Sequence, residues 1–208
     1  MRLFLLLLAN LLLSKIALAQ FSKKFEVGSY VLIENRNERQ YGQLKLRSEK
    51  KLRVKSPEGN AFRLKPNQVH NFRIGSRHYI VAKDFHLSEN SHSIDVKAAF
   101  VERLDSGQIV LMRYDHFINT GANWLFLYRY PIAVYLLSDP SSSAFNLVYN
   151  YFNKSLFREQ VRPFLTMSPD LIQMLDKGKI TFYNLPSAIH ALNNNSPFLP
   201  SDAPERKQ

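Results

Sequence analysis

The sequence predicts an α+β protein: a small SH3-like β-barrel or roll first, further β-strands after it, then a short helical region at the C-terminus. Three observations carry that prediction. Apolar and polar residues alternate with period two between Tyr30 and Ala82, extended segments separated by turns continue to Leu137, and apolar spacing turns helical only after Ser138–Ser143.

Residues 1–19 precede the first of these elements. Arg2 gives a positive start, Leu3 to Leu13 is apolar except for Asn10, and Ala17-Leu18-Ala19 stands before Gln20. That is the n-region, h-region and small-x-small exit of a secretory signal peptide. The eleven residues Leu3 to Leu13 rise only about 16 Å as a helix, where a span needs roughly 20 apolar residues, and Lys15 makes extension costly. The apolar run Trp124 to Leu137 holds Arg129 and Pro131 and reads as two strands. The expectation is an exported chain, periplasmic or secreted, with no transmembrane anchor after cleavage. With no cysteine, neither a disulfide nor a lipid-modified cysteine can form. The remaining chain is long enough to bury roughly 70% of its unfolded surface without such staples.

The mature elements follow in order. Tyr30 to Glu34 reads as a strand, Asn35 to Gln40 as a polar turn, and Tyr41 to Arg47 as a returning strand. Leu44 and Leu46 alternate with Lys45 and Arg47, Leu52 and Val54 with Lys51, Arg53 and Lys55, and Phe62 and Leu64 with Arg63 and Lys65. Period two puts the apolar members inside and the cations outside. Pro66 to Val69 reads as a short turn or 3₁₀ element, followed by strands at Phe72 to Gly75 and Tyr79 to Ala82.

Charge divides the chain at the same place. Residues 20–83 hold fifteen Lys and Arg against five Asp and Glu, while residues 84–208 hold eleven against twelve. The divisions read from this are a basic small β-barrel over 20–83, a second β-rich region over 84–143, a helical region over 144–194 and a disordered tail over 195–208. Lys45, Arg47, Lys51, Arg53, Lys55, Arg63 and Lys65 are the candidate anion-binding residues, on one face if the three strands pair. The alternative is a solvated face whose charges are screened within about 8 to 10 Å.

Gly28-Ser29-Tyr30-Val31-Leu32-Ile33, Tyr41-Gly42-Gln43-Leu44 and Val69-x-x-Phe72 resemble a group of uncharacterised exported bacterial proteins. Those begin with a signal peptide and a G-x-V-x-L-x-G-D-x-x-x-G-x-I strand pair. Phe100-Val101-Glu102, Gly107 to Leu111 and the helical C-terminal part are also similar, and Asn35 to Arg39 replaces the group's Gly-Asp turn. The resemblance implies export and brings no activity with it.

Ala98 to Leu104, a turn at Asp105-Ser106-Gly107, Gln108 to Tyr114 and Trp124 to Tyr130 continue the β pattern. Trp124, Phe126, Tyr128 and Tyr130 fall on one face, either as core or as a stacking row for sugars or bases. Beyond Ser138–Ser143 the β part is expected to end. Leu156, Val161 and Leu165 suggest one helix, Ser168-Pro169-Asp170 opens a second that Lys177-Gly178 closes, and Pro186 to Leu192 suggests a third.

Catalytic signatures are nearly absent: there is no cysteine nucleophile, no Gly-x-Ser-x-Gly elbow and no phosphate-cradling glycine loop. His86, Glu89 and His92 have a helical metal-ligand spacing but stand among serines and Asn90, which reads as a loop. Asp115-His116 reads as a turn after a strand. No enzyme, cofactor or metal is expected. The function expected is that of an exported binding module touching an anionic envelope polymer or lipid headgroup, with nucleic acid last among anionic partners. The alternative is an assembly component docking a protein partner through its C-terminal helices.

Overall fold

Alternating apolar residues between short polar turns pair locally, and antiparallel hairpins dominate the result. The computed structural model describes residues 24–89, 92–120, 128–142, 144–149 and 153–200; the expected signal peptide, Trp124 and Phe126 lie outside them. Ten strands run β1 (Glu26–Leu32), β2 (Arg39–Ser48), β3 (Lys51–Lys55), β4 (Ala61–Leu64), β5 (Val69–Ile74), β6 (Arg77–Glu89), β7 (His92–Asp105), β8 (Val110–Thr120), β9 (Tyr128–Ser138) and β10 (Asn146–Tyr149). Three helices follow, α1 (Lys154–Val161), α2 (Pro169–Asp176) and α3 (Leu185–Asn193).

All ten strands form one antiparallel sheet in the order β10-β9-β8-β7-β6-β5-β1-β2-β3-β4. This sheet is not closed, so strand pairing does not complete the expected barrel. It does curl. The Phe100 N–H on β7 donates to the Glu49 carbonyl in the β2–β3 turn at 2.7 Å, across three intervening strands. Gly28 and Gly42 are direct partners in the β1–β2 ladder. A Cβ on Gly28 would meet the Arg73 carbonyl oxygen at 2.2 Å, and one on Gly42 the Lys55 carbonyl oxygen at 2.7 Å. Only glycine permits backbones to approach this closely. The charge boundary between Lys83 and Asp84 falls inside β6, so it divides composition and not pairing.

Register sorts the side chains. Leu44, Leu46, Leu52, Val54, Phe72, Tyr79 and Phe100 form one buried cluster inside the curl, with Phe72 stacked on Tyr79 at 4.6 Å between ring centroids. Farther along, consecutive residues of β8 and β9 are buried on opposite faces. Leu111, Tyr135 and Leu137 join the apolar residues of the helices, whereas Met112, Val134 and Leu136 join Phe85, Leu87 and Val101. Strands covered on both faces lose the alternation of a half-exposed strand.

A polar seam separates the two clusters on the helix-bearing face. Tyr79, Glu102, Arg113 and Tyr135 are successive cross-strand partners from β6 to β9. Arg113 Nε donates to Asp115 Oδ1 at 2.8 Å, and Asp115 is 1% exposed. Asp115 and His116 therefore do not form the expected turn; both are buried within β8. A polar pair resembles a turn in sequence, but an ion pair lets the carboxylate sit inside a sheet.

The sequence expects the β part to end at Ser138–Ser143, yet β10 follows and pairs with β9. It also expects two strands between Trp124 and Leu137; β9 is instead one strand whose pairing runs through Pro131. Asn153 Oδ1 caps α1, accepting from the Ser155 and Leu156 N–H groups at 2.9 and 3.3 Å. The single helix expected to reach Leu165 changes to a 3₁₀ turn over Arg162–Leu165, where Pro163 cannot donate to an α-helical ladder. Lys179 N–H donates to the Met174 carbonyl at 2.9 Å around Gly178, whose φ is +69°, and so ends α2. Asn193 fastens α3 to the sheet: its Oδ1 accepts from the Ile109 N–H and its Nδ2 donates to the Ile109 carbonyl, at 2.9 and 2.8 Å. Within the stretch read as a tail, Phe198 is 6% exposed and belongs to the helix-side core; residues 201–208 lie outside the described residues.

Candidate anion-binding face

The hairpins β2–β3 and β3–β4 set the cations. Lys45 pairs with Arg53 and Arg53 with Arg63, so these three form one cross-strand row; Gln43, Lys55 and Ala61 form the next. The intervening Leu44, Leu46, Leu52, Val54 and Leu64 point into the core, which leaves Lys45, Lys51, Arg53, Lys55 and Arg63 on the outward face. Arg47 is exposed beside the irregularity between Leu46 and Ser48, and Lys65 is exposed just past β4, where its N–H donates to Gln68 Oε1 at 2.8 Å. Among the described residues, Arg47, Lys51, Arg53, Lys55, Arg63 and Lys65 form no salt bridge. Like charges on neighbouring strands cost stability, so the row is unfavourable for folding by itself.

Phe25 completes the row and is absent from the sequence reading. It precedes β1, whose Glu26 pairs with Leu44, and lies beneath Lys45 Nζ and the Arg53 guanidinium at 6.0 and 5.6 Å from its ring centroid. A ring face under a cation contributes about 0.5 to 1 kcal/mol at an exposed site. Val27 and Tyr41, 79% and 66% exposed, continue this outward face with apolar surface.

The same face extends over β5, β6 and β7. Ser29 pairs with Arg73, Arg73 with His78, and His78 with Arg103. An Arg103 Nη2 proton is donated to His78 Nδ1 at 2.6 Å, and Arg39 donates to Ser29 Oγ at 3.0 Å and Asn71 Oδ1 at 3.4 Å. Beside this row lies a cleft of about 340 Å³ lined by Ile33, Arg36, Val69, His70, Asn71, His78, Ile80, Val81, Lys83 and Arg103. Among the described residues no carboxylate lines it.

Burial, then Arg103, Arg73 and Arg39, push the His78 imidazolium down from 6.5 to a pKa of about 4. The sign follows from proton linkage. As pH falls below 6.5 the unfolded chain takes up a proton at His78 that the folded chain refuses, so the folded state is favoured less. Stability from this group is full above pH 6.5 and is lost progressively toward pH 4. Chemical denaturation over that window is expected to show the decline, and His78→Gln to flatten it. An identical pH slope in the variant contradicts the assignment.

His86, Glu89 and His92 do not share a helical face, because β6 and β7 are strands and Glu89 pairs with His92. His86 Nδ1–H donates to Asp95 Oδ1 at 2.8 Å, and the Ser93 hydroxyl donates to His86 Nε2. That connectivity is shared with hydrolytic triads. However, the His86 and Asp95 side chains are 55% and 75% exposed. Neither they nor Ser93 line the cleft, and at this exposure water competes for their hydrogen bonds. The contacts hold the β6–β7 hairpin end together. Among the described residues no group of three His, Cys, Asp or Glu side chains could hold a metal ion, and no helix is long and apolar enough to cross a membrane.

Comparison with protein-family models, curated proteins and solved structures finds no match to this chain. The residues themselves therefore carry the functional argument.

Proposed function

We propose that this chain is an exported, non-enzymatic binding module whose basic β2–β4 face contacts an anionic envelope polymer or lipid headgroup. One observation carries the reading: Arg53 and Arg63 stand side by side with Lys45 in a single cross-strand row, and neither arginine has an ion-pair partner among the described residues. An anionic ligand offsets the repulsion that such a row builds in. Phe25, Val27 and Tyr41 give that ligand apolar surface beside the charges. We read the curled strands β1 to β7 as an SH3-like roll, a reading supported by the Phe100–Glu49 hydrogen bond. Export rests on the signal-peptide pattern of residues 1–19.

The alternative, assembly through the C-terminal helices, has less support because most of their apolar residues face the core, and Met167, Tyr183 and Leu199 are exposed only between and after the helices. Val161, Leu165, Leu175, Leu185, Ala188 and Ile189 are fully buried in the helix-side core. The test is binding of the protein to phosphatidylglycerol vesicles, lipopolysaccharide and a sulfated glycan at low and physiological salt. Saturable binding to one of them that persists at physiological salt is expected. Weak binding to all three that salt abolishes contradicts the proposal, and a solvated face is then the correct reading.

A further inference from the structure

The cleft beside His78 has a different chemistry from the flat β2–β4 face. Ile33 and Arg36, which follow β1, line it together with residues of β5, β6 and β7. Arg36, Lys83 and Arg103 line it, and Arg73 and Arg39 stand in the adjoining row with Ser29 and Asn71. These five cations come from four separate places in the chain, Arg36 and Arg39 sharing one, so no local charge run explains their meeting. Among the described residues, Arg36, Arg39, Arg73, Lys83 and Arg103 form no salt bridge. The nearby Glu38 carboxylate instead accepts from Asn35 Nδ2 at 2.5 Å.

We propose that this cleft binds one tetrahedral, doubly charged oxyanion of the phosphate or sulfate type, gripped by Arg36 and Arg103 on its wall, with Arg73 adding its charge from the adjoining row. Planar guanidinium forks match the oxygens of such a group, and a concave wall lowers the local dielectric and strengthens each contact. The volume lies at the small end of the range for ligand sites, which suits a single headgroup and not an extended molecule. His70 and Asn71 on the wall can add hydrogen bonds to the remaining oxygens. The Ile33 and Ile80 side chains offer apolar contact to whatever carries the anion. The site goes beyond the proposed function and stands without it, since none of Lys45, Arg47, Lys51, Arg53, Lys55, Arg63 and Lys65 belongs to it.

His78 reports on the site, because the cations that face it from β2, β5 and β7, namely Arg39, Arg73 and Arg103, oppose its protonation. A bound anion reverses that field. The experiment follows the His78 ring protons by NMR across an acid titration, in sodium sulfate and in sodium chloride at equal ionic strength. Sulfate is expected to raise the midpoint from about 4 by at least one unit, equivalent to about tenfold tighter sulfate binding once the imidazole is protonated. The response is expected to saturate, to disappear in Arg73→Gln and Arg103→Gln, and to persist in the Lys51→Gln, Arg53→Gln, Lys55→Gln triple variant. Each arginine variant is expected to raise the midpoint in chloride while keeping it below the 6.5 of an unfolded chain, and retention of the parent's dispersed amide spectrum establishes that its sheet is intact. Equal midpoints in sulfate and chloride overturn the proposal, and so does a sulfate response that survives in both arginine variants. Near neutral pH, glycerol 3-phosphate saturating at a tenfold lower concentration than inorganic phosphate identifies a carried group as the ligand; equal concentrations identify the free anion.

Discussion

Asp115→Ala is expected to lower the unfolding free energy by about 3 to 5 kcal/mol, the cost of leaving a buried charge without its partner. Asp115 is 1% exposed and pairs with Arg113, whose side chain is 23% exposed. Removing the carboxylate leaves the guanidinium facing Glu102 across β7 and β8. Burial raises the Glu102 carboxyl from its ordinary value, and Glu102 stands one strand away. A domain of ordinary stability, about 5 to 15 kcal/mol, loses a large fraction of it by this one change. Replacing both partners, with Arg113→Met and Asp115→Leu, removes the desolvated charges together and is expected to recover most of the loss. Urea denaturation of the two variants measures the difference. A loss below about 1 kcal/mol in Asp115→Ala is what an exposed pair gives, and contradicts the burial of the seam.

Neutralising Lys51, Arg53 and Lys55 together, each to glutamine, is expected to weaken binding to an anionic membrane surface about 100-fold. The magnitude follows from about 1 kcal/mol per cation near such a surface and about 1.4 kcal/mol per tenfold in affinity. All three lie on β3, whose Leu52 and Val54 face the core, so the changes leave the buried positions untouched. Removing adjacent like charges also relieves repulsion, and the variant is expected to be at least as stable as the parent. Weakened binding in a folded, equally stable protein is thus assigned to the lost charges.

Much of the first half of the fold is legible in the sequence. Strict alternation around Leu44, Leu52 and Leu64, interrupted by polar turns, identifies strands β2 to β4 and the side on which their cations stand. The second half is less legible because β8 and β9 are covered on both faces. Alternation fades there, and Asp115-His116 reads as a turn although both residues are buried. Strand β10 is hidden for another reason, being four residues long and following a Ser-rich break. The candidate sites divide in the same way. The β2–β4 cations are near one another in sequence, so period two suffices to align them. Phe25 and the Arg73, His78 and Arg103 row depend on which strand lies beside which, and the placement of β1 between β2 and β5 is a long-range pairing that no local pattern encodes. His86, Ser93 and Asp95 meet through the β6–β7 register, which the helical spacing of His86 and His92 obscures.

The most direct test of the proposed function compares two variants of equal net charge on phosphatidylglycerol vesicles at physiological salt. One carries Lys51→Gln, Arg53→Gln and Lys55→Gln, and the other carries Lys154→Gln, Lys177→Gln and Lys179→Gln, three exposed positions in the helical region. The account predicts that the first loses about 100-fold in affinity while the second binds as the parent does. Equal losses in both variants, or no loss in the first, contradict it, because the interaction then follows bulk charge and not the β2–β4 face.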